Sequence, residues 1–423
     1  MTKVTSLQSL MMKLLILFDI RVNLIYDGEN IKGASSMGNL TVNDFFCGCG
    51  GMGIGFLNAG FSIVGAWDIN EPAIQTYVAN VGTHAQQKDI QTMHINDIPK
   101  AHVWAMGFPC QDVSYAGKRA GIALLCQDCN KEFDIKDFDD FNGVCVLCGS
   151  SAIKPATRSG LFFEIMRLVD EAMLFDKSKA PKVILAENVK AIRGYIPALE
   201  REFTQRGYKA YSVLFNSKYW GVAQHRERYF IVGVHKSIDK EFQFPIENKT
   251  NLSKLSDFLD ADVDEKYYVS PEKADQIIAQ ALERLKELGY VHATLTPTRV
   301  KKRQQGRRAK ADEEPMFTLT AQDLHGIIID DTFGYNKGSV RVYTDKSPTL
   351  RHGRHGLKTV ESTPHHRVRT LTPTEYGRLQ GFPMANWKQV VSNTEAYRQF
   401  GNAVTTTVVT AIANEIKKLL SSV

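Results

Sequence analysis

The chain has no apolar run long enough to cross a bilayer, so its sequence predicts no transmembrane helix. It also lacks a strong excess of either charge, because 52 Lys and Arg residues stand against 46 Asp and Glu residues, a formal charge of +6. So small an excess permits a polyanionic partner without requiring one. Cysteine is scarce, at seven residues in 423. An odd count with four cysteines in a paired pattern argues against a disulfide framework and favours a reducing cytosol.

The remaining composition is that of an ordinary globular protein, with 43% hydrophobic and 23% charged residues. The length allows one large domain and a smaller one. Residues 1–38 match no motif described below and are treated as an N-terminal extension of unknown role. The apolar run at 11–18 is a weak signal-peptide candidate. An extra strand pair or a loosely attached extension is the preferred interpretation, and Met37 is a second candidate start.

A Gly-rich turn follows the first apolar strand of the globular part. Leu40 to Phe46 is a predicted strand, and Cys47-Gly48-Cys49-Gly50-Gly51-Met52-Gly53 then leads into a predicted helix. Strand, Gly-rich turn and helix form the first unit of a doubly wound sheet, so the fold class is α/β. Alone, the turn is a weak signal, since it serves any nucleotide or only permits tight packing.

The next predicted strand, 61–67, ends at Asp68. An acidic residue at this point suits a bidentate hydrogen bond to ribose hydroxyls. A helix N-cap for the segment Asn70-Glu71-Pro72 is the competing interpretation.

The chain is organised around Gly107-Phe108-Pro109-Cys110-Gln111-Asp112-Val113-Ser114, which follows the apolar strand 103–106. Gly107 permits a bend and the close approach of another molecule. Pro109 fixes its own φ and restricts the residue before it, so the thiol of Cys110 is held in one direction. A thiol attacks carbon as its thiolate, which makes Cys110 the candidate nucleophile. For an isolated cysteine, a small buried apolar residue would be the favoured interpretation.

Two cysteine pairs, Cys126-x-x-Cys129 and Cys145-x-x-Cys148, interrupt the chain after this motif. Their separation predicts a structural zinc site in a zinc-ribbon-like insertion, placed at 124–151. Four thiolates would fill the coordination of zinc and leave no open position for chemistry. The insertion is therefore expected to stabilise a long loop, with a contact to DNA as the alternative.

Two further motifs adjoin buried strands. The strand 181–186 leads into Glu187-Asn188-Val189, and Gln224-His225-Arg226-Glu227-Arg228 opens a strand that continues to Val234. Glu187, Arg226 and Arg228 would otherwise be a set of surface salt bridges. Their place beside strands that align with the strand of Cys110 argues against that interpretation.

These motifs, in this order, resemble those of the DNA (cytosine-5)-methyltransferases of bacterial and phage restriction–modification systems. The resemblance covers nearly all of 40–235 and 365–410. It implies a doubly wound, Rossmann-like methyltransferase domain whose Gly-rich turn cradles S-adenosylmethionine. The family usually has Glu where this chain has Asp68, followed by a bulky residue over the adenine. The resemblance implies these cofactor contacts: Asp44, Phe46, Gly48, Gly51, Asp68, Ile69, Asp89, Ile90, Pro109, Leu161 and Asn402.

By the same resemblance, 39–235 is the catalytic domain, interrupted by the four-cysteine insertion, and 366–423 returns to it. The region 236–365 is expected to be a smaller target-recognition domain. Its basic run 301–310 would contact phosphates, with a solvated loop as the alternative. Phe317-Thr318-Leu319-Thr320 and Ser347-Pro348-Thr349-Leu350 resemble each other and the family's variable region.

The resemblance also assigns two mobile or terminal elements. The polar loop from Ser114 to Gly121 closes over DNA in the family. Thr372-Pro373 with Glu375 predicts a helix start. Gly401-Asn402-Ala403-Val404 is expected to open a C-terminal helix that packs beside the Gly-rich turn.

Carried onto these residues, the family chemistry gives each side chain a role. The thiolate of Cys110 adds to carbon 6 of cytosine and makes carbon 5 nucleophilic enough to accept a methyl group. Glu187 acts as general acid at ring nitrogen 3, provided burial raises its pKa. Arg228 holds the pyrimidine carbonyl oxygen and orients Glu187, and Arg226 serves the nucleophile loop or a phosphate. The base must leave the duplex for this attack.

Two other functions stay open. A transfer-RNA cytosine-5 methyltransferase shares nearly all of these motifs, although the long region 236–365 favours duplex DNA, since a groove reader needs its own surface. A catalytically silent DNA-binding relative is disfavoured by the intact Cys110, Glu187 and Arg228. We expect a cytoplasmic, bacterial or phage-encoded monomer that uses S-adenosylmethionine, holds a structural zinc and protects double-stranded DNA from a cognate restriction endonuclease. The sequence identifies neither the recognised DNA site nor whether such an endonuclease accompanies the protein.

Overall fold

The computed structural model describes residues 39–110, 112–113, 121–138, 141, 143–250, 252–283, 285, 288, 291–301, 306–311, 314–330 and 366–422. Several sequence predictions lie outside these residues. They concern the N-terminal extension, the loop beginning at Ser114, residues 302–305 of the basic run, and Ser347-Pro348-Thr349-Leu350. In the described part of the basic run, Arg308 and Lys310 are buried and donate to the carbonyls of Thr296 and Pro315.

The described strands form three sheets. A large sheet contains β1 (Thr41–Phe45), β2 (Ser62–Asp68), β3 (Ala85–Gln87), β4 (Val103–Met106), β8 (Val183–Val189), β9 (Tyr208–Asn216) and β10 (Glu227–His235). One small sheet contains β5 (Ala123–Cys126), β6 (Glu132–Asp134) and β7 (Ile153–Pro155), and another contains β11 (Val291–Leu295), β12 (His325–Asp330) and β13 (His366–Thr370).

The large sheet has the strand order β3-β2-β1-β4-β8-β10-β9. Neighbours from β3 to β8 pair in parallel, whereas β10 is antiparallel to both of its neighbours. The chain therefore winds outward from β1 in two directions, as in a doubly wound fold. The prediction of an α/β class is confirmed, with a mixed sheet because β10 is reversed.

The sheet separates two apolar clusters, and β4 shows why. Trp104 and Met106 pack in one cluster, whereas Val103 and Ala105 pack in the other, and all four are fully buried. Successive side chains of a strand point to opposite faces, so a strand buried on both faces is apolar throughout. The first cluster includes Phe108, which anchors the start of the candidate nucleophile segment.

Eight described helices accompany the sheets: α1 (Gly51–Asn58), α2 (Glu71–Asn80), α3 (Phe162–Phe175), α4 (Ile196–Gln205), α5 (Pro271–Leu282), α6 (Pro373–Leu379), α7 (Asn393–Asn402) and α8 (Thr406–Ser421). The predicted start of α6 is confirmed, because Thr372 and Glu375 form a reciprocal capping box. None of the described helices is long and apolar enough to span a membrane.

The expectation that 401–404 opens the C-terminal helix is wrong. Gly401 and Asn402 end α7, and α8 begins at Thr406. Ala403 between them is extended, with a ψ of 153°, and its carbonyl accepts a hydrogen bond from Arg226. The expected packing of the C-terminal helix beside the Gly-rich turn is nevertheless present, since a Cβ on Gly55 of α1 would lie 2.4 Å from Val409 Cβ in α8.

The sheet β11-β12-β13 lies mostly in the region expected to recognise the target. Its last strand, β13, pairs with β12 from His366 onward, so this sheet continues past residue 365. Buried Val291, Ile327 and Ile329 belong to one apolar cluster, and buried Ile328 and Val368 belong to another, so the sheet packs on both faces. Its role in reading DNA stays a prediction.

Candidate active site

Four strand ends lie at the same level of the large sheet. Phe45 pairs with both Trp67 and Met106, and Met106 pairs with Ala186. The residue after each of these is respectively Phe46, Asp68, Gly107 and Glu187. Ligands of doubly wound folds bind beyond the carboxyl ends of the parallel strands. The strand register therefore collects the Gly-rich turn, the acidic residue of β2, the Gly-Phe-Pro-Cys segment and the candidate acid at one edge.

Glu187 and Arg228 form an ion pair on adjacent strands. Arg228 Nε lies 3.1 Å from Glu187 Oε1, and the two side chains are only 14% and 11% exposed. A Cβ on Gly107 would lie 3.7 Å from Glu187 Oε2, so the start of the nucleophile segment passes directly beside the acid. Burial raises the pKa of Glu187, and the charges of Arg228 and Arg226 partly offset this effect. The carboxyl group thus keeps a proton to higher pH than an exposed glutamate does.

Cys110 is half-buried in the same electrostatic environment. Burial raises the pKa of its thiol, the charge of Arg228 lowers it, and Glu187 raises it. The segment is held from both sides, because Asn188 Nδ2 donates to the Phe108 carbonyl at 3.1 Å and the Val113 amide donates to the Cys110 carbonyl at 3.2 Å. The sequence analysis missed the positioning contact of Asn188, although its neighbour Glu187 marked the motif.

The described hydrogen bonds of Arg226 lead away from the nucleophile segment, although its charge lowers the pKa of the Cys110 thiol. Its buried guanidinium donates to the carbonyls of Leu319 (2.9 Å), Gly401 (3.3 Å) and Ala403 (2.7 Å). None of these acceptors belongs to the nucleophile segment. Gln224 acts in the same way, since its Nε2 donates to the Leu379 carbonyl at 2.8 Å and its Oε1 accepts from the Leu319 amide at 3.1 Å. The Gln-x-Arg-x-Arg motif therefore joins the large sheet to two distant segments.

The Gly-rich turn is closely packed except at Gly48, which faces open space. Phe46 and Gly48 have φ values of 55° and 54°, in the left-handed region that favours glycine. A Cβ on Gly48 would meet no atom within 4 Å. Asp68 reaches back into this turn, accepting from the Gly48 amide at 2.9 Å and from the Asn70 amide at 2.8 Å. Asn70, rather than Asp68, caps α2, so the competing helix-cap interpretation of Asp68 is wrong.

Asp44 lies beneath the turn and is almost completely buried. Neither carboxylate oxygen makes a hydrogen bond of ordinary geometry with the described residues. Burial raises the pKa of Asp44 well above its usual range, and the nearby Gly53 amide offsets this only in part. An orphaned carboxylate next to the Gly-rich turn is a fitting environment for a bound cationic group.

The other predicted cofactor residues differ in their exposure to solvent. Asp89 follows β3 and accepts from the Gln91 amide at 3.0 Å, and Ile90 beside it is buried. Ile69 is 65% exposed. Of the remaining residues, Gly51 is buried, Asn402 is exposed at the end of α7, and two are half-buried: Pro109 and Leu161.

The four cysteines of the insertion converge. Sγ of Cys126 lies 3.6 Å from Sγ of Cys148, and Sγ of Cys129 lies 3.7 Å from Sγ of Cys145. All four sulfur atoms fall within 4.8 Å of one another. A tetrahedral site with Zn–S bonds of about 2.3 Å places its sulfur atoms about 3.8 Å apart. A disulfide would need about 2.0 Å, so the arrangement fits a shared metal and excludes two disulfides.

A basic groove of about 450 Å³ runs beside the Gln-x-Arg-x-Arg motif. Lys218, His225, Arg307 and Lys310 line it together with Glu314, which forms an ion pair with Arg307 at 2.7 Å. The Thr318 hydroxyl donates to the His225 carbonyl at 2.6 Å and so closes one wall. Burial lowers the pKa of Lys310 to about 8. Cations concentrated in a groove of this kind attract a polyanionic backbone.

A model of C-5 cytosine-specific DNA methylases matches residues 40–126 and 148–418. Among curated relatives, the orphan methyltransferase M.SPBetaI of Bacillus phage SPbeta is 27% identical, over 90% of this chain and 98% of that protein. The type II methyltransferase M.NlaX of Neisseria lactamica is 29% identical, over 90% and 97%. The type II methyltransferase M1.ScrFI of Lactococcus lactis subsp. cremoris is 31% identical, over 89% and 78%.

Solved structures share the fold. The Entamoeba histolytica methyltransferase EhMeth superposes with a TM-score of 0.55 at 19% identity, over 91% of this chain and 99% of that chain. A DNA modification methyltransferase encoded within an E. coli prophage gives a TM-score of 0.55 at 20% identity, over 90% and 100%. At these identities the likeness supports the mixed α/β architecture.

Proposed function

We propose that this protein, which belongs to the C-5 cytosine-specific DNA methylase family, methylates a flipped-out cytosine through a covalent Cys110 adduct. It is a DNA (cytosine-5)-methyltransferase, and the proposed target cytosine lies within a short duplex sequence. The observation that carries this proposal is the contact of Arg228 with Glu187 directly beside the Gly107 end of the nucleophile segment. The charges of Glu187 and Arg228 also act on the Cys110 thiol, and the strand register places the Gly-rich turn at the same edge of the sheet.

Each side chain has a defined task in this mechanism. The thiolate of Cys110 adds to carbon 6 of the cytosine ring, and electron density moves toward carbon 5. Protonated Glu187 donates to ring nitrogen 3 and stabilises the charge that develops there. Arg228 holds Glu187 in position and donates to the pyrimidine carbonyl oxygen. After methyl transfer, loss of the carbon 5 proton expels the thiolate and restores the aromatic ring.

The cofactor proposal rests on residues around the Gly-rich turn. S-adenosylmethionine, when bound, supplies an electrophilic methyl group on its sulfonium. Asp68 would hold the ribose hydroxyls, Asp89 the adenine amino group, and Ile69 one face of the adenine. Because Asp68 already accepts from the Gly48 amide, its orientation is fixed before the cofactor arrives.

Duplex DNA is the proposed substrate, and flipping of the cytosine is part of the proposal. The basic groove beside the Gln-x-Arg-x-Arg motif would contact the phosphate backbone, and the β11-β12-β13 sheet with its connections would read the sequence. One chain carries every proposed catalytic residue, so we propose a monomer. Structural zinc at the four cysteines completes the proposed cofactors.

The biological role is proposed to be protection of DNA from restriction. The relatives include both orphan phage enzymes and type II enzymes, so a cognate endonuclease is a possible genetic partner and not a requirement.

Bisulfite sequencing of DNA from a methylation-free host that expresses the protein tests the function. Protection of one cytosine in one short motif is the expected result, and the Cys110→Ala variant should leave that motif unprotected while still binding the duplex. Unprotected DNA in the presence of soluble wild-type protein would overturn the proposal. Methylation of transfer RNA in the same cells would instead identify the alternative substrate.

A further inference from the structure

The four-cysteine module comprises β5–β7 with the cysteine pairs and the segment up to Leu161, and its middle part, 127–147, lies outside the family match. The matched segments stop at residue 126 and resume at 148, so Cys129 and Cys145 lie outside them. The proposed methyl-transfer chemistry gives this module no task. Its contacts nevertheless lead directly to the nucleophile segment.

Asp112, two residues after Cys110, is held by the module. Its buried Oδ2 accepts from the amides of Arg158 (2.8 Å) and Ser159 (3.3 Å). Its carbonyl accepts from the Gly121 amide at 3.0 Å. The Gly121 carbonyl accepts in turn from the Thr157 hydroxyl at 3.1 Å. The two residues that flank 113–120 are therefore bonded to each other and to the chain that follows β7.

The position of Gly121 is closely confined. Its φ is +78°, and a Cβ there would lie 2.0 Å from Asp134 Oδ2 and 2.5 Å from the Tyr195 hydroxyl oxygen. The Tyr195 hydroxyl donates to Asp134 Oδ2 at 2.7 Å. Asp134 ends β6, and Tyr195 follows the strand that carries Glu187. This bond fastens the module to the part of the sheet that holds the acid.

A row of aromatic rings makes a second connection. Centroid distances are 5.8 Å for Phe133–Phe141, 5.8 Å for Phe141–Phe163, 5.5 Å for Phe163–Phe162 and 5.4 Å for Phe162–Phe108. Phe108 stands two residues before Cys110. The module therefore contacts the nucleophile segment on both sides of the thiol.

The module needs a source of stability beyond its own strands. Each of its three strands has only three or four residues, and so short a sheet is marginal in water. Cys126 ends β5, and its amide is bonded to the Lys131 carbonyl in the knuckle. Metal binding by four thiolates contributes its free energy directly to folding of such a unit.

We propose that zinc bound by Cys126, Cys129, Cys145 and Cys148 positions the nucleophile segment through the Asp112–Gly121 anchor. The metal then supports the rate of cytosine attack more than the binding of cofactor, because all but two of the candidate cofactor residues, Pro109 and Leu161, lie outside the nucleophile segment and the module. The activity part of this inference rests on the proposed function.

The test compares full-length wild type with Cys148→Ser and with the matched control Leu147→Ser. Cys148 is exposed, and Leu147 between the ligands is 58% exposed, so neither change disturbs a core. Wild type and control should hold about one zinc per chain, and Cys148→Ser much less. We expect the kcat of Cys148→Ser, and its rate of covalent trapping on 5-fluorocytosine duplex, to fall at least about tenfold. Its Kd for S-adenosylmethionine should stay within about twofold of wild type, since most of the candidate cofactor residues lie outside the module and the nucleophile segment.

A second variant guards against a folding defect. Tyr195→Phe removes the bond to Asp134 and leaves every cysteine in place, so zinc should be retained while kcat falls and cofactor affinity holds. Hydrogen exchange at the Gly121 amide reports the anchor without turnover, and it should accelerate at least about tenfold in Cys148→Ser. That readout remains decisive even if wild type methylates no DNA. Two results would overturn the inference. One is wild-type protein that contains no zinc. The other is Cys148→Ser that has lost its zinc but keeps a normal kcat and a normal rate of hydrogen exchange at Gly121.

Discussion

Arg228 Nε lies 3.1 Å from Glu187 Oε1 across the β8–β10 pair, and this contact governs two ionisations at once. The Arg228 charge lowers the pKa of Glu187 and also that of the Cys110 thiol, while burial raises both. The proposed reaction needs Glu187 protonated and Cys110 ionised. The two requirements give a bell-shaped dependence of kcat/KM on pH. The positions of its rising and falling sides both depend on the charge of Arg228.

Replacing Arg228 by Gln should move both limbs of the profile of kcat/KM to higher pH. Loss of the positive charge raises both pKa values, so ionisation of Cys110 and loss of the Glu187 proton each occur later on the pH scale. We also expect kcat to fall by about 10²-fold, since a donor to the developing charge is removed. Arg228→Lys is the matched control, because it keeps the charge and loses only the planar fork. Unshifted limbs in Arg228→Gln would contradict the assignment.

Glu187→Gln should lower kcat by about 10²–10⁴-fold, the usual contribution of general acid catalysis. It should also remove one pH dependence of stability. The buried acid keeps a proton that the unfolded chain releases above about 4.5, so the free energy of unfolding of wild type falls as pH rises from there through the raised pKa. The variant lacks this loss. Urea titrations at acidic and alkaline pH should show the stability of Glu187→Gln rising relative to wild type with pH, and a constant difference would argue against the raised pKa.

Strands β1, β2, β4, β8 and β10 of the large sheet and the helix after the Gly-rich turn could be predicted because each is a local pattern, whereas the three-residue β3 gives too short a pattern. Val103 to Met106 is apolar at every position, which only a strand buried on both faces requires. The cysteine pairs were equally local, and the structure brings their four sulfur atoms together. In these cases the residues that specify an element are the residues that form it.

The remaining features depend on partners far away in the chain. Arg226 donates to the Ala403 carbonyl, 177 residues later in the chain. Ala403 lies between α7 and α8, where the sequence predicted the start of the C-terminal helix too early. The role of Asp112 likewise depends on the amides of Arg158 and Ser159. Neither contact leaves a periodicity or a spacing in the sequence, so only the folded structure reveals it.

Lys218→Ala should weaken duplex binding about equally for all sequences, because a lysine in the basic groove would meet phosphate and not a base. The slope of log Kd against log salt concentration should fall by about 0.9, the value for one phosphate contact. Fluorescence anisotropy over a salt series measures it. Lys418→Ala removes the same charge from an exposed position on α8 and should leave the slope unchanged. An unchanged slope in Lys218→Ala would place the DNA backbone elsewhere.

Arg369 and Glu375 make the most deeply buried ion pair of the described chain, with side chains 1% and 0% exposed. The guanidinium donates through Nη1 and Nη2 to the two carboxylate oxygens at 2.8 and 2.7 Å, and Glu375 also accepts from the Thr372 and Asp260 amides. The pair thus joins β13 to the start of α6 and to the 260 region. Removing this ion pair would weaken the connection between the β11-β12-β13 sheet and the segment that starts at α6.

Arg369→Leu should therefore lower the free energy of unfolding by about 3–5 kcal/mol, since it leaves the Glu375 carboxylate buried without its cation. The exposed pair Lys418–Glu415 supplies the contrast, because Lys418→Ala should change stability by less than about 0.5 kcal/mol. Urea unfolding of the three proteins at one pH gives both values. The double variant Arg369→Leu/Glu375→Leu should regain part of the loss, as the uncompensated charge is gone, although the bonds of Glu375 to Thr372 and Asp260 are lost with it. A single variant as stable as wild type would mean that water reaches the carboxylate, and that this part of the structure opens readily.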